Sequence, residues 1–343
     1  MRTIPRLVPP LVLLITLALA PAIPLSAQTV ATLKYHPGHY VSLNRPDDAA
    51  RVMPGLVLPG VRGVQIRYTW KSLEPERGRY DFSRIADDLE RAARLGLQLV
   101  AFIEDKSFFT EAHHLPAYLD AYALPFTRGG MVAKRWDPTI IERMGALLSA
   151  LGERFDAHPH FEGVALQESA MGFTPEIETL HGYTPEKYRD ALIALLRSAR
   201  RGLPRSQVFW YMNFLEGKQA YLADVAEVAV EERIAMGGPD VLPERASLVR
   251  LTYPLYARFA GRLTLFCSIQ NDSYAHHREN SAGQNRYWTL EELLMFARDE
   301  LHVSYLFWNR KDWRKPPDSW TWNDAIAVIR AHPELQGAPA ARH

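Results

Sequence analysis

Residues that can carry out acid–base chemistry stand directly after short apolar runs of this sequence. The clearest case is Glu168, which follows the predicted strand Gly163–Gln167. A glutamate at the tip of a buried strand adds nothing to packing, and a low-dielectric pocket can raise the pKa of such a carboxyl towards neutrality. The position therefore predicts a catalytic acid or base at Glu168. The alternative is a solvated carboxylate in a loop.

Other acids, amides and aromatic residues follow apolar runs in the same way. They are Arg67 and Trp70, Glu104 and Asp105, Asn213, Gln270, Asn271, Asp272 and Tyr274, and Trp308, Asn309 and Arg310. Acids and amides can form hydrogen bonds with sugar hydroxyl groups, and indole and phenol rings can cover the apolar faces of a sugar. If the runs end at one edge of a sheet, the set predicts a carbohydrate site.

The elements that must bring these residues together are β-rich apolar runs that alternate with amphipathic segments. The eight predicted strands are Tyr35–Leu43, Gly63–Tyr68, Leu97–Ile103, Gly163–Gln167, Val208–Asn213, Arg233–Gly237, Leu263–Ile269 and Val303–Trp308. The alternation indicates parallel strands joined by crossover helices. It predicts an α/β fold, a single (β/α)8 TIM barrel, with its active site at the C-terminal ends of the strands. A doubly wound open sheet is disfavoured, because no glycine-rich phosphate loop follows a strand.

Capping residues predict where the helices between the strands begin. The predicted N-terminal positions are Asp81, Asp137, Thr184, Thr289 and Asn323. Asp137 and Thr184 each precede a proline, the residue favoured at the first helical position. Thr289 has Glu292 three residues later, which is the pattern of a capping box.

A compact motif within residues 64–82 carries a family resemblance. It consists of Trp70, Leu73-Glu74-Pro75, a turn at Gly78, and Tyr80-Asp81-Phe82 before a helix. The motif resembles the signature of clan-A glycoside hydrolases, which are retaining β-glycosidases on (β/α)8 barrels. The resemblance implies that Glu168, at the end of the fourth strand, is the general acid/base. Gln167 stands where the family usually has asparagine.

The second catalytic carboxylate is less clear from the sequence. The family's nucleophile is a glutamate at the end of the seventh strand, where this chain has no glutamate and Asp272 is the nearest acid. Asp272 is expected to be a nucleophile, an inverting base or only a sugar-binding group. Glu104 is the next choice, followed by Asp105 and Glu279. Carboxyls about 5–5.5 Å apart would indicate retention, and a spacing of about 6.5–9.5 Å would indicate inversion.

The expected sugar-binding residues surround this pair at the mouth of the barrel. They are Arg67, Trp70, Asp105, His114, Gln167, Asn213, Gln270, Tyr274, Trp308 and Asn309. Trp308 is the predicted stacking platform for a sugar ring. No metal or other cofactor is expected, because the histidine pairs lack the spacing of a zinc site.

Composition and the N-terminus indicate where the protein acts. The net charge of +1 gives no reason to expect a nucleic acid or an anionic membrane as partner. Arg2 and Arg6, the apolar run Leu7–Ala20 and the small residues near Ala27 predict a signal peptide over residues 1–27. The alternative is an uncleaved anchor, although the run is shorter than the ~20 residues of a spanning helix. Residues 28–343 would then form one exported barrel, periplasmic or extracellular, and its only cysteine, Cys267, excludes an internal disulfide.

The sequence therefore predicts an exported glycoside hydrolase that acts on an oligo- or polysaccharide. The missing glutamate on the seventh strand leaves a second hypothesis open, a carbohydrate-binding barrel without catalysis. A metal-dependent hydrolase is a third and more distant hypothesis.

Overall fold

Eight parallel strands close into a barrel in this protein. The computed structural model describes residues 32–335, except for 45, 109–112, 126, 128, 173, 279–285 and 313–315. The strands are β1 (Gly38–Leu43), β2 (Val61–Thr69), β3 (Gln98–Glu104), β4 (Phe161–Leu166), β5 (Gln207–Tyr211), β6 (Ala235–Gly238), β7 (Leu265–Ile269) and β8 (Tyr305–Asn309). Each strand pairs with its neighbours in the sequence, and β8 returns to β1. All eight predicted strands and the barrel are confirmed.

Helices and short turns fill the connections between the strands. The helices are α1 (Pro46–Val52), α2 (Trp70–Leu73), α3 (Ser83–Arg94), α4 (Pro138–Phe155), α5 (Pro175–Leu180), α6 (Pro185–Gly202), α7 (Tyr221–Glu231), α8 (Ala246–Leu251), α9 (Tyr253–Phe259), α10 (Leu290–Met295) and α11 (Trp322–Ala331). Two small antiparallel hairpins add Ala123–Pro125 with Met131–Ala133, and His277–Arg278 with Arg286–Tyr287. No helix in the described ranges has the length and apolar character needed to cross a membrane.

Most of the predicted helix starts are confirmed by side-chain caps. Asp137 accepts a hydrogen bond from the backbone N–H of Thr139, and Thr184 accepts one from Lys187. Thr289 and Glu292 form the expected capping box. The last helix is capped by Thr321 instead of Asn323 and begins at Trp322, because a second capping box, between Thr321 and Asp324, caps it two residues earlier.

An aromatic layer fills the interior of the barrel. Its large members are Tyr40, Phe102, Phe209, Tyr211, Phe266, Tyr305 and Phe307, with smaller residues between them. Phe209 meets Phe266 edge to face, with ring centroids 5.3 Å apart, an arrangement that aromatic rings favour. The barrel is therefore a packed core and not a pore.

Polar groups close the barrel below this layer. The buried carboxylate of Glu162 accepts hydrogen bonds from Tyr305 Oη at 2.6 Å and from His36 Nδ1 at 2.6 Å. The next residue, Gly163, lies where β4 and β5 approach closely, since a Cβ there would stand 1.9 Å from the carbonyl oxygen of Gln207. Glycine at this position lets β4 run tightly beside β5 towards the opposite end of the barrel.

Candidate active site

Glu168 lies just beyond the C-terminal end of β4, at the mouth of the barrel. Its side chain is 15% exposed, and Lys106 Nζ donates to Oε1 at 3.0 Å. Asn213, which follows β5, donates from Nδ2 to Oε2 at 2.7 Å. The carboxylate is thus fixed by the loops after β3 and β5, with part of its surface left open to a ligand.

Gln167 anchors this region from within. Its Oε1 accepts hydrogen bonds from the backbone N–H groups of Asp105 at 3.0 Å and Lys106 at 2.7 Å, and its Nε2 donates to the Lys106 carbonyl at 3.0 Å. Both ends of the amide are occupied and the residue is buried. The predicted sugar contact of Gln167 is therefore wrong in this structure: the longer side chain reaches the loop after β3 and joins it to β4.

Asp105 is also part of the scaffold. Arg135 Nε and Nη2 donate to its two carboxylate oxygens, each at 2.6 Å, and Arg135 Nη1 donates to the backbone carbonyl of Glu168. Burial disfavours the charged guanidinium, but the charge and hydrogen bonds of Asp105, together with Tyr188, outweigh burial and raise the pKa of Arg135. Since Asp105 is buried in this bidentate pair, the predictions of a sugar contact or a catalytic role for it are contradicted.

Glu104 occupies a more open position at the end of β3. Arg67 Nη1 donates to its Oε1 at 2.9 Å, and His114 Nδ1 lies 3.6 Å from its Oε2. The Arg67 guanidinium packs 4.7 Å from the centroid of the Phe102 ring, which fixes its direction. Burial lowers the pKa of His114. The three polar side chains are partly exposed, so Glu104 is a second carboxylate with access to the mouth.

The end of β7 is arranged differently from the prediction. Asp272 is exposed on a turn, and its carboxylate makes no hydrogen bond among the described residues. Gln270 is half-buried beside it. Tyr274 is fully buried, with its hydroxyl donating to the carbonyl of Asn309 at 2.9 Å, so its predicted sugar contact is wrong. Asn309 donates from Nδ2 to Asn271 Oδ1 at 2.8 Å. Glu279, the remaining candidate acid, lies outside the described residues.

The two predicted tryptophan contacts face away from the mouth. Trp308 is fully buried and donates from Nε1 to His39 Nδ1 at 3.0 Å. Because side chains alternate along a strand and Phe307 fills the barrel, Trp308 points towards the helices. Trp70 is also fully buried and donates to Glu74 Oε2 at 2.9 Å. The predicted stacking by Trp308 and the predicted sugar contact of Trp70 are therefore wrong, since both rings are fully buried.

A polar belt above the aromatic layer was not predicted from the sequence. Ser42 Oγ donates to Gln65 Oε1 at 2.9 Å, Gln65 Nε2 donates to Tyr211 Oη at 2.9 Å, and Tyr211 Oη lies 3.0 Å from Ser268 Oγ. These residues occupy inward positions of β1, β2, β5 and β7. The alternation of these polar residues with apolar neighbours along each strand was the sequence pattern that could have placed them inside the barrel. The belt forms the floor of the mouth.

Glu216 is a further acid that the sequence analysis missed. Its Oε1 accepts hydrogen bonds from the backbone N–H groups of Met171 at 2.8 Å and Gly172 at 2.7 Å. Burial raises the pKa of Glu216, and these hydrogen bonds oppose the shift. The residue joins the loops that follow β4 and β5. No sequence pattern marks it, because its partners lie 44 and 45 residues away.

Several buried polar atoms at the mouth have no hydrogen-bond partner among the described residues. They include the donor Arg67 Nε and the acceptors Asn213 Oδ1 and Asn309 Oδ1. An unpaired buried polar group costs about 1–3 kcal/mol, so such groups are usually satisfied by a ligand or by water. A hydroxyl group both donates and accepts, and a polyhydroxylated ligand therefore matches this set. No three metal-ligating side chains of the described residues form a group that could hold an ion.

Solved structures with the same architecture include several glycoside hydrolases. The catalytic domain of β-amylase from Paenibacillus polymyxa matches with a TM-score of 0.58 and 8% identity, over 87% of this chain and 98% of that chain. GH5_18 from Streptomyces cattleya in complex with GlcNAc matches with a TM-score of 0.57 and 14% identity, over 91% and 83%. Endo-glycoceramidase II from Rhodococcus sp. matches with a TM-score of 0.51 and 14% identity, over 86% and 80%.

Similarity at the level of sequence adds no relative to these structural likenesses. No protein-family model matches the chain, and no curated protein matches it. At the identities found, a structural likeness shows the fold and leaves the activity to be argued from the site. The chain has the (β/α)8-barrel fold on which these solved glycoside hydrolases are built, as the motif at residues 64–82 predicts.

Proposed function

We propose that this protein is an exported glycoside hydrolase that cleaves O-glycosidic bonds of an oligo- or polysaccharide with two carboxylates. The observation that carries the proposal is Glu168, held at the mouth by Lys106 and Asn213 with part of its carboxylate open. The unpaired Arg67 Nε and the unpaired amide oxygens nearby support a hydroxyl-rich ligand. Export rests on the predicted signal peptide.

Glu104 is the preferred partner of Glu168. It ends β3, which pairs directly with β4, and neighbouring strands lie about 4.7–4.9 Å apart. Two carboxyls on adjacent strands can therefore reach the spacings used by retaining or inverting enzymes. Asp272 is less suited, because no partner among the described residues orients its exposed carboxylate. Asp272 remains the alternative that the experiment below tests.

In this proposal, Glu168 protonates the glycosidic oxygen as the bond to the anomeric carbon breaks. Glu104, oriented by Arg67, either attacks the anomeric carbon or activates a water molecule. In the first case, Glu168 then removes a proton from the water that releases the sugar. Asn213 and Asn309 accept hydrogen bonds from the sugar, and Gln270 lines the side of the site that lies next to β7.

The test compares conservative variants on a panel of aryl glycosides and oligosaccharides. Glu168→Gln and Glu104→Gln should each lower kcat by about 10²–10⁴-fold while thermal unfolding and sugar binding are retained. Glu90→Gln, which replaces a highly exposed carboxylate, is the matched control and should be silent. A loss with Asp272→Asn but not with Glu104→Gln would assign the second role to Asp272. Unchanged turnover by Glu168→Gln would remove it from the mechanism, and sugar binding without turnover by the unaltered protein would indicate a binding barrel.

A further inference from the structure

Lys106 is in direct contact with Glu168, and the proposed function gives it no part in proton transfer. It follows the end of β3 by two residues, and its side chain is only 2% exposed. Nζ donates to Glu168 Oε1 at 3.0 Å and to the carbonyl oxygen of Ala170 at 2.9 Å. The side-chain amide of Gln167 fixes the backbone of Lys106 by accepting from its N–H group and donating to its carbonyl oxygen. A buried ammonium is thus held with one proton directed at the candidate acid/base.

The charges around Lys106 come from three different loops. Glu168 follows β4, Glu216 follows β5, and Arg135 lies just before α4. Burial lowers the pKa of Lys106, and Arg135 acts in the same direction, whereas Glu168 and Glu216 oppose the shift. The ammonium is therefore easier to deprotonate than a lysine in water, although it keeps its charge while the carboxylate of Glu168 is open to water.

Removal of water changes the balance between the two forms of this pair. The carboxylate of Glu168, whose side chain is 15% exposed, loses its remaining hydration when a sugar covers the mouth, and desolvation disfavours the charged forms of the pair. A Lys–Glu pair can respond by shifting one proton along an existing hydrogen bond, which gives a neutral amine and a neutral carboxylic acid. The Nζ–Oε1 contact already provides the path for that proton.

We propose that Lys106 is a positioning residue that controls the protonation of Glu168: it keeps the carboxylate ionised in the open site and passes it a proton when substrate excludes water. This inference rests on the proposed function. In the first step, an N–H bond of Lys106 breaks and an O–H bond of Glu168 forms. In the retaining case, that proton then goes to the glycosidic oxygen as its bond to the anomeric carbon breaks and a bond from Glu104 to that carbon forms. Water then displaces Glu104 from the anomeric carbon, and its proton returns through Glu168 to Lys106.

The test exploits leaving groups that differ in their need for a proton. Lys106→Met and Lys106→Arg are compared on a 2,4-dinitrophenyl glycoside, whose leaving group needs no protonation, and on the methyl glycoside of the same sugar. Lys106→Arg keeps the positive charge but cannot release a proton, because a guanidinium stays protonated. Lys106→Arg should lose about 10²–10⁴-fold in kcat on the methyl glycoside and less than about tenfold on the dinitrophenyl glycoside. Lys106→Met removes the charge that keeps Glu168 ionised, so it should keep its activity on the methyl glycoside in acidic buffer, where Glu168 takes its proton from water, and lose that activity as the pH rises.

Each other outcome overturns the inference. Full activity of Lys106→Arg on the methyl glycoside would show that the positive charge alone suffices. Equal losses on both substrates, by variants whose thermal unfolding is unchanged, would show a structural role. If Lys106→Met does not fold, the charge-preserving arginine variant still decides between these results. The proposed function is judged separately, since it fails if the unaltered protein hydrolyses neither substrate.

Discussion

Replacing Gln167 with methionine should reveal how strongly the site depends on one amide. Methionine keeps the length of the side chain but removes the oxygen that accepts from the backbone N–H groups of Asp105 and Lys106. Each of these buried donors would then lack a partner, at a cost of about 1–3 kcal/mol. The expected loss is therefore about 2–6 kcal/mol, a large part of the roughly 5–15 kcal/mol that stabilises a typical domain.

Urea unfolding followed by tryptophan fluorescence measures this loss, and Gln207→Met provides the matched control. Gln207 is also buried, but among the described residues its side chain makes a single hydrogen bond, from Nε2 to the carbonyl of Lys34. That variant should lose only about 1 kcal/mol. Gln167→Asn should also be strongly destabilising, because the shorter side chain cannot reach both donors. If Gln167→Met cost no more than Gln207→Met, Gln167 would not be the anchor between β3 and β4.

Three further predictions concern other parts of the barrel. The hydrogen bond with Glu162 raises the pKa of His36 above 6.5. The stabilisation that protonated His36 contributes should therefore be complete below about pH 6.5 and should be lost as the pH rises through the pKa of the folded state. The fall in melting temperature between pH 6 and pH 9 measures this loss. An equal fall in the His36→Gln variant would contradict the role of His36. Trp308→Phe removes the hydrogen bond to His39 and should cost about 1–2 kcal/mol in urea unfolding. The substitution should leave the KM for sugar unchanged, and a raised KM would indicate that Trp308 contacts the sugar. Burial raises the pKa of the Cys267 thiol to about 12, so a thiol reagent at pH 8 should modify the unfolded chain and not the native protein.

Much of the fold was predictable because its determinants are local. Buried parallel strands appear as short apolar runs, and all eight were found within a few residues of their ends. Caps such as Asp137 act on N–H groups only two or three residues away, so they mark helix starts without knowledge of the tertiary structure. The last helix was displaced because Thr321 and Asp324 form a box that competes with Asn323.

The site was predictable only in part, because its contacts are not local. A strand that is apolar on both faces does not reveal which face enters the barrel, and this is why Trp308 was assigned to the mouth. The partners of Gln167 lie 61 and 62 residues away in the sequence. The pairing of Asp105 with Arg135 likewise depends on the fold. The roles of Glu168 and Asp272, and the signal peptide over residues 1–27, stay predictions.

The closed floor of the barrel determines from which side small molecules can reach the mouth. Among the described residues, the hydroxyl of Tyr211 bonds only upwards to the polar belt, and that of Tyr305 bonds downwards to Glu162. The aromatic layer separates these two sets of hydrogen bonds, so no continuous chain of hydrogen bonds among the described residues joins them. Under the proposed function, the water that completes the hydrolysis would enter through the opening at the mouth that the departing sugar leaves. Another alcohol at the mouth would then compete with water for the anomeric carbon, and the proposed enzyme would transfer the sugar to that alcohol.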